Sequence, residues 1–215
     1  MRQLIFWLFF IVFLAFVVGA NIYLAKRFSF YFELRTTRYL FITFGALSIF
    51  MIAGIAITTN AQAAFANMIY IAASIVMGFL LYLLLSVAVV DLVSLFAKSV
   101  PRLLGITALS LAVFITAAGI INAQYRRISK VEIPMKGLTN NITAAQLSDI
   151  HIGHFWGPKT LQKIVAKTNA QNPDVVFITG DLFDGKIRLN SESLEPLKQL
   201  NAPVYFVEGN HDGYS

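Results

Sequence analysis

Three runs of residues without a single charge constrain this chain more than any other feature. Residues 4–25 are uncharged, residues 39–90 form a 52-residue stretch free of both charge and proline, and residues 103–123 are uncharged again. A bilayer core about 30 Å thick is crossed by about 20 residues of helix. The outer runs therefore suit one crossing each and the middle run two, folded at the polar stretch Thr58-Thr59-Asn60-Ala61-Gln62. Lipid offers the backbone no hydrogen-bond partner, so helices are the form expected, over 4–25, 39–58, 65–90 and 103–123. A cleaved signal peptide is the rival reading of the first run, given Arg2 and the small residues Gly19 and Ala20. The length of the run and the spans that follow favour a retained helix.

Composition agrees with a chain shared between membrane and water. Of 215 residues, 57% are hydrophobic and 13% charged, which excludes an ordinary soluble domain. The net charge of +6 belongs to the first part: residues 1–130 carry ten Lys/Arg against two Asp/Glu, and residues 131–215 seven against nine. Those basic residues flank apolar spans and form no groove-sized patch, so no nucleic-acid partner is expected. There is no cysteine, which excludes disulfides and thiolate metal sites.

Alternate connections set the topology. Lys26, Arg27, Arg35, Arg38, Lys98 and Arg102 fall on one side, and Arg2, Arg126, Arg127 and Lys130 on the other. The excess places both termini outside the cytoplasm, in a multi-pass cell-membrane protein whose water-exposed tail is extracytoplasmic. Gly45, Gly54 and Gly78 permit close helix packing. Asp91, at the end of the third span, reads as an interfacial charge.

The chain then divides into a membrane region (1–125), a connector (126–141) and a tail (142–215). Within the connector, Val131-Glu132-Ile133-Pro134-Met135 reads as an edge strand. The tail alternates: a strand ending near Asp149, an amphipathic helix with Leu161, Ile164 and Val165 on one face, and the apolar run Asp174–Asp181, read as a strand covered on both faces. A second amphipathic helix of roughly 8–12 residues is expected from about Ser193, with Leu194, Leu197 and Leu200 on one side and Pro196 in its first turn. A third strand stops at Gly209. Right-handed crossovers would lay the three strands side by side in parallel.

Their carboxyl ends gather the chemistry: Asp149-Ile150-His151, then Gly180-Asp181-Leu182-Phe183-Asp184, then Gly209-Asn210-His211-Asp212. Open α/β sheets bind ligands at that edge. Carboxylate, imidazole and amide donors suit Mn, Fe, Zn or similar ions.

These blocks, in this order and separated by amphipathic segments, resemble the first three blocks of the calcineurin-like metallophosphoesterases, and most closely their membrane-anchored bacterial branch. The resemblance covers about Ile142 to Ser215 and takes in only the N-terminal motif blocks of that family. It implies a partial α/β metallophosphoesterase domain, of the four-layer α/β/β/α sandwich kind, following a multi-span helical membrane region. It further implies two divalent metal ions, with Asp149 and His151 on the first, Asp181 bridging, and Asn210 on the second. His211 would be the general acid or transition-state stabiliser and Asp212 would orient it. Asp184 reads either as standing behind the ligands or as capping the following turn, and His154 either as standing there or as a surface loop histidine. The substrate implied is a phosphoester, monoester or diester, with lipid-linked and soluble ones both open and membrane lipids as surroundings. Members of the family add histidines beyond this point, and no histidine follows His211 here. The sequence reading is therefore of membrane-anchored, metal-dependent phosphoester hydrolysis by a dinuclear site left incomplete in this chain, short of downstream histidine ligands and with little or no activity expected as written; the alternative is a noncatalytic membrane binding or assembly module derived from a truncated phosphoesterase. Oligomeric state is not legible.

Overall fold

The computed structural model describes residues 2–61, 63–96, 100–184 and 193–214. It contains two compact units: Met1–Ala56 with Ala72–Tyr125, and Ile57–Ile71 with Arg126–Ser215.

Four helices are long and apolar enough to cross a membrane: α1 (Arg2–Tyr31), α2 (Arg38–Thr58), α3 (Ala64–Ser94) and α4 (Pro101–Ala123). Pro101 opens α4, where its missing N–H removes no helical bond. Large side chains such as Phe6, Trp7, Phe9 and Phe114 point outward, the arrangement a lipid solvent favours. The first unit's interior is built on Leu24, Phe28, Tyr31, Leu83 and Val87 with Ala108 and Ala112 of α4. Gly45 and Gly78, read above as packing positions, have open space where a Cβ would stand. The close approach occurs at Gly105 instead, where an added Cβ would lie 2.8 Å from Tyr31 Cβ and 2.8 Å from Phe32 Cε2.

Asp91 is more than an interfacial charge. Tyr23 donates its hydroxyl to Asp91 Oδ2 at 2.6 Å, and the Arg27 guanidinium and Tyr31 hydroxyl both donate to Oδ1. One carboxylate on α3 thus gathers three donors from α1, two of them neutral. A second polar contact joins α1 to α2, with Asn21 Nδ2 donating to Ser48 Oγ at 3.0 Å.

After the helices comes a mixed α/β region whose three-stranded, unclosed sheet matches a partial sandwich. Strands β1 (Ala144–Leu147), β2 (Val175–Thr179) and β3 (Val204–Val207) lie in the order β1-β2-β3, all parallel. Ala144 pairs with Val175 and Val176 with Val204, so the strands finish at one edge. Helix α5 (Pro158–Asn169) buries Leu161, Val165 and Thr168, and its i, i+4, i+7 spacing is that of one α-helical face.

Three local expectations change. The strand β2 is covered on one face only: Val176 and Ile178 are buried while Phe177 and Thr179 are open, and all four residues of β3 are exposed. The second helix is a short 3-10 helix over Glu195–Gln199, with Leu194, Leu197 and Leu200 packed on the core. Its apolar residues recur every three positions, the 3-10 period. The segment 131–135, read as an edge strand, is irregular.

Candidate metal centre

The loops that follow β1 and β2 are zipped together by backbone. Asp149 N–H donates to Gly180 O at 3.3 Å, His151 N–H to Asp181 O at 2.9 Å and Ile152 N–H to Leu182 O at 2.8 Å. Asp184 N–H returns to Ile152 O at 2.9 Å. Ile152 and Leu182 are buried beneath, so apolar contacts hold the loops from below while the polar side chains project above.

Three of these residues sit in left-handed backbone: Asp149 at φ 55°, His151 at 48° and Asp181 at 51°. For an L-residue that region costs roughly 1 kcal/mol, somewhat less for aspartate. Strain of this kind persists where surrounding contacts overdetermine it, commonly at sites of function. Gly180, at φ 92°, supplies the turn that precedes Asp181. Gly209 is needed for space: a Cβ there would stand 2.3 Å from Asp181 Oδ1 and 2.5 Å from Asp181 N.

The side chains converge in two groups. Asp149, His151 and Asp181 each offer a ligand atom, all within 4.8 Å of one another, and His151, Asp184 and His211 do the same. His151 Nε2 lies 3.9 Å from Asp149 Oδ1 and 3.9 Å from Asp181 Oδ2. The His211 ring stands edge-on to that of His151 at 4.9 Å, and His211 N–H donates to Asp181 Oδ1 at 3.0 Å. Ser148 Oγ donates to Asp149 Oδ2.

The donor set fits divalent ions. It consists of carboxylate oxygens and imidazole nitrogens with no sulfur, which suits Mn, Fe, Zn or similar ions. In addition, His151 Nδ1 is buried without a hydrogen-bond partner, a position that normally costs stability unless something else takes up the nitrogen. Two groups sharing one loop edge make a candidate dinuclear divalent-metal site.

The other candidate residues, and the side chains near them, fall in different places. Asp184, one of the two placed behind the ligands, stands among the donors of the second group. Asn210 is exposed at the end of β3. The Asp212 carboxylate accepts from Phe183 N–H at 3.0 Å and from Gly209 N–H at 2.8 Å, tying the second and third loops together. Partial burial would raise its pKa, but backbone donors from Gly209, Phe183, Asp181 and Leu182 outweigh that and hold it below the usual carboxylate range. Phe155 is exposed, and Trp156 lies under the Arg126 guanidinium at 4.4 Å. Lys159 and Lys163 are exposed.

His154 is buried at 7% exposure and its ring nitrogens meet Asn67 and Thr59, residues at the tips of α3 and α2. Sequence reasoning did not connect these residues, and a separation of 87 positions left no local signal by which to do so.

Comparison with known proteins agrees with this geometry and corrects two expectations. Residues 142–215 match the sequence model of the family described as Calcineurin-like phosphoesterase. A transmembrane protein with metallophosphoesterase domain from Danio rerio is 42% identical over 115 residues, covering 49% of this chain and 26% of that protein. Its namesake from Bos taurus is 35% identical over 116 residues, covering 49% and 26%. A Caenorhabditis elegans protein named as a metallophosphoesterase is 44% identical over 90 residues, covering 40% and 19%. The chain thus spans about a quarter or less of the length of these relatives. No solved structure matches it.

The first correction concerns the reading of N-terminal motif blocks from a membrane-anchored bacterial branch. The family segment lies at the C-terminal end of the chain, over 142–215, behind four membrane-length helices, and animal proteins stand among its relatives. The second concerns the expected shortage of downstream histidine ligands and the inactivity drawn from it. His211, downstream of His151, joins it and Asp184 in one group of candidate ligands, so the described residues hold intact His/Asp clusters. The water-exposed end of this chain carries the sequence pattern of the calcineurin-like phosphoesterases together with a candidate two-metal site.

Proposed function

We propose that this chain acts as a membrane-anchored, metal-dependent phosphoester hydrolase, with its centre on the extracytoplasmic side. The observation that carries the reading is the convergence of Asp149, His151 and Asp181 from left-handed backbone onto one point above the sheet edge. Asp149 and His151 would hold the first ion, Asp181 would be shared, and Asn210 with Asp184 would serve the second. When bound, a pair of divalent cations supplies Lewis acidity toward the phosphoryl oxygens and lowers the pKa of water. His211 donates a proton to the leaving ester oxygen, and its own backbone N–H orients Asp181. Asp212 serves that step by tying the His211 loop to the loop after β2, through Gly209 N–H and Phe183 N–H.

Four spans keep the centre near a bilayer, which favours a phosphoester presented at the headgroup layer, such as a lipid-linked one. The Lys/Arg excess in the connections after the first and third spans supports the extracytoplasmic orientation.

The test uses the full chain in detergent with Mn²⁺ and two chromogenic substrates, a phosphodiester and a phosphomonoester. Asp181→Asn is expected to lower turnover on the order of 10³-fold, the scale on which loss of a preorganised electrostatic group acts. Equal rates in the two proteins would overturn the reading.

A further inference from the structure

The metal centre shares its compact unit with residues 57–71, the tips of α2 and α3 and the connection between them. We infer that this hairpin tip is a positioning element of the centre: through His154 it fixes the loop that carries His151. The inference rests on the phosphoester-hydrolase reading above and gives the membrane helices a part in it beyond anchorage.

His154 is three residues past His151 and is held from three directions. Nδ1 lies 2.6 Å from the Asn67 carboxamide and Nε2 3.2 Å from the Thr59 carbonyl oxygen. With Nε2–H donating to Thr59, a neutral ring leaves Nδ1 to accept from the Asn67 amide, whose nitrogen and oxygen exchange by a half-turn. The third contact is a stack on the Tyr70 ring, with centroids 3.9 Å apart and planes at 21°. Asn67 and Tyr70 are three residues apart on α3 and so share a helix face. Tyr70 also meets Phe155 edge-on at 6.2 Å.

The segment between the two histidines has little slack. Ile152 is buried at 1% exposure, and Gly153 N–H donates to Trp156 O at 2.9 Å, closing the loop on itself. A shift at His154 therefore passes to His151 with little loss. Metal ligands tolerate displacements of only about 0.5 Å before affinity suffers. A plain anchor would need none of these contacts, whereas a histidine buried with both nitrogens engaged is costly to release.

The experiment uses the full chain in detergent, with Mn²⁺ affinity by calorimetry and amide exchange of residues 150–157 in metal-free protein. Asn67→Ala and His154→Ala are each expected to weaken Mn²⁺ binding about tenfold, as loss of a ligand-orienting contact does. Both should speed exchange across the loop. The double variant should match His154→Ala, since the Asn67 contact is already lost with the ring. Asn67→Gln, which keeps an amide donor for Nδ1, should restore both readouts. In hydrolysis of a soluble diester, Asn67→Ala should lower kcat and leave KM within twofold. Wild-type Mn²⁺ affinity and exchange in Asn67→Ala, or additive losses in the double variant, would overturn the inference. Should His154→Ala fail to fold by circular dichroism, the pair Asn67→Ala and Asn67→Gln decides alone. Asp181→Asn separates the two readings. If it too leaves metal binding and hydrolysis intact, the phosphoesterase reading has failed; if it abolishes them while Asn67→Ala does not, only the hairpin inference has.

Discussion

Asp91 and Asp181 expose nearly the same fraction of their side chains, 18% and 15%, yet they are treated in opposite ways. Asp91 stands on regular helix and receives a guanidinium and two phenols, all from α1, so its charge is neutralised by the chain itself. Asp181 stands on left-handed backbone with one backbone N–H at 3.0 Å, and its only ion-pair partner among the described residues is His151 at 3.9 Å. Asp149 is close by and adds a like charge. Equal burial thus hides a difference in purpose. A carboxylate that closes a structure is given its donors, and one proposed to serve a ligand is left with fewer of them beside a like charge.

Exchanging the two roles experimentally gives the largest contrast. Asp181→Asn should cost turnover on the order of 10³-fold while the metal-free protein keeps its stability within about 1 kcal/mol. A chemical-denaturation midpoint that falls with activity would break the comparison. Asp91→Ala should do the reverse, destabilising the helical unit by roughly 3 kcal/mol because Arg27 keeps its charge without a partner. Asp91→Leu combined with Arg27→Met should recover most of that loss in thermal-aggregation assays, and Mn²⁺ affinity should be unmoved throughout.

A smaller effect is expected from Gly209→Ala, which adds a methyl where Asp181 Oδ1 stands 2.3 Å from the built Cβ. Displacing that carboxylate should weaken Mn²⁺ binding by about tenfold to a hundredfold, read by calorimetry. Asp212 should give the smallest effect, and one with a definite pH window. Its folded pKa is depressed, so its contribution to stability is present above the unfolded value and is lost as pH falls through the folded one. The denaturant midpoints of wild type and Asp212→Asn should therefore differ at neutral pH and converge below about pH 4. A gap that widens in acid would contradict the backbone clamp.

Much of this was legible because the physics is one-dimensional. A charge-free run of about 20 residues has one way to satisfy its backbone in lipid, and among the described residues four helices are long and apolar enough to cross a membrane. The parallel order of β1, β2 and β3 follows from strands alternating with helical segments, and a loop edge bearing polar residues follows from that order. The short 3-10 helix was misread by length although its period was visible: Leu194, Leu197 and Leu200 repeat every three residues, while Leu161, Val165 and Thr168 follow the α period. Coverage of the sheet could not be read, since an apolar run in β2 looks the same with one face buried as with two. Asn67 is 87 residues from His154 and Arg27 is 64 residues from Asp91, and only tertiary structure brings them together. The glycine at the α1–α4 contact, Gly105, looked no different in sequence from Gly45 or Gly78.

The left-handed turns at 149, 151 and 181 also shape which sequences this loop edge accepts. Their backbone selects residues before any chemistry does, because asparagine, aspartate and glycine enter that region at lower cost than other residues. In a library screened for folding alone, positions 149 and 181 would drift toward asparagine and glycine, and His151 would be the first of the three to be replaced. In a library screened for metal-dependent turnover, His151 would instead hold against its own backbone preference. The gap between the two substitution profiles at that one position would measure how strongly function overrides conformation here.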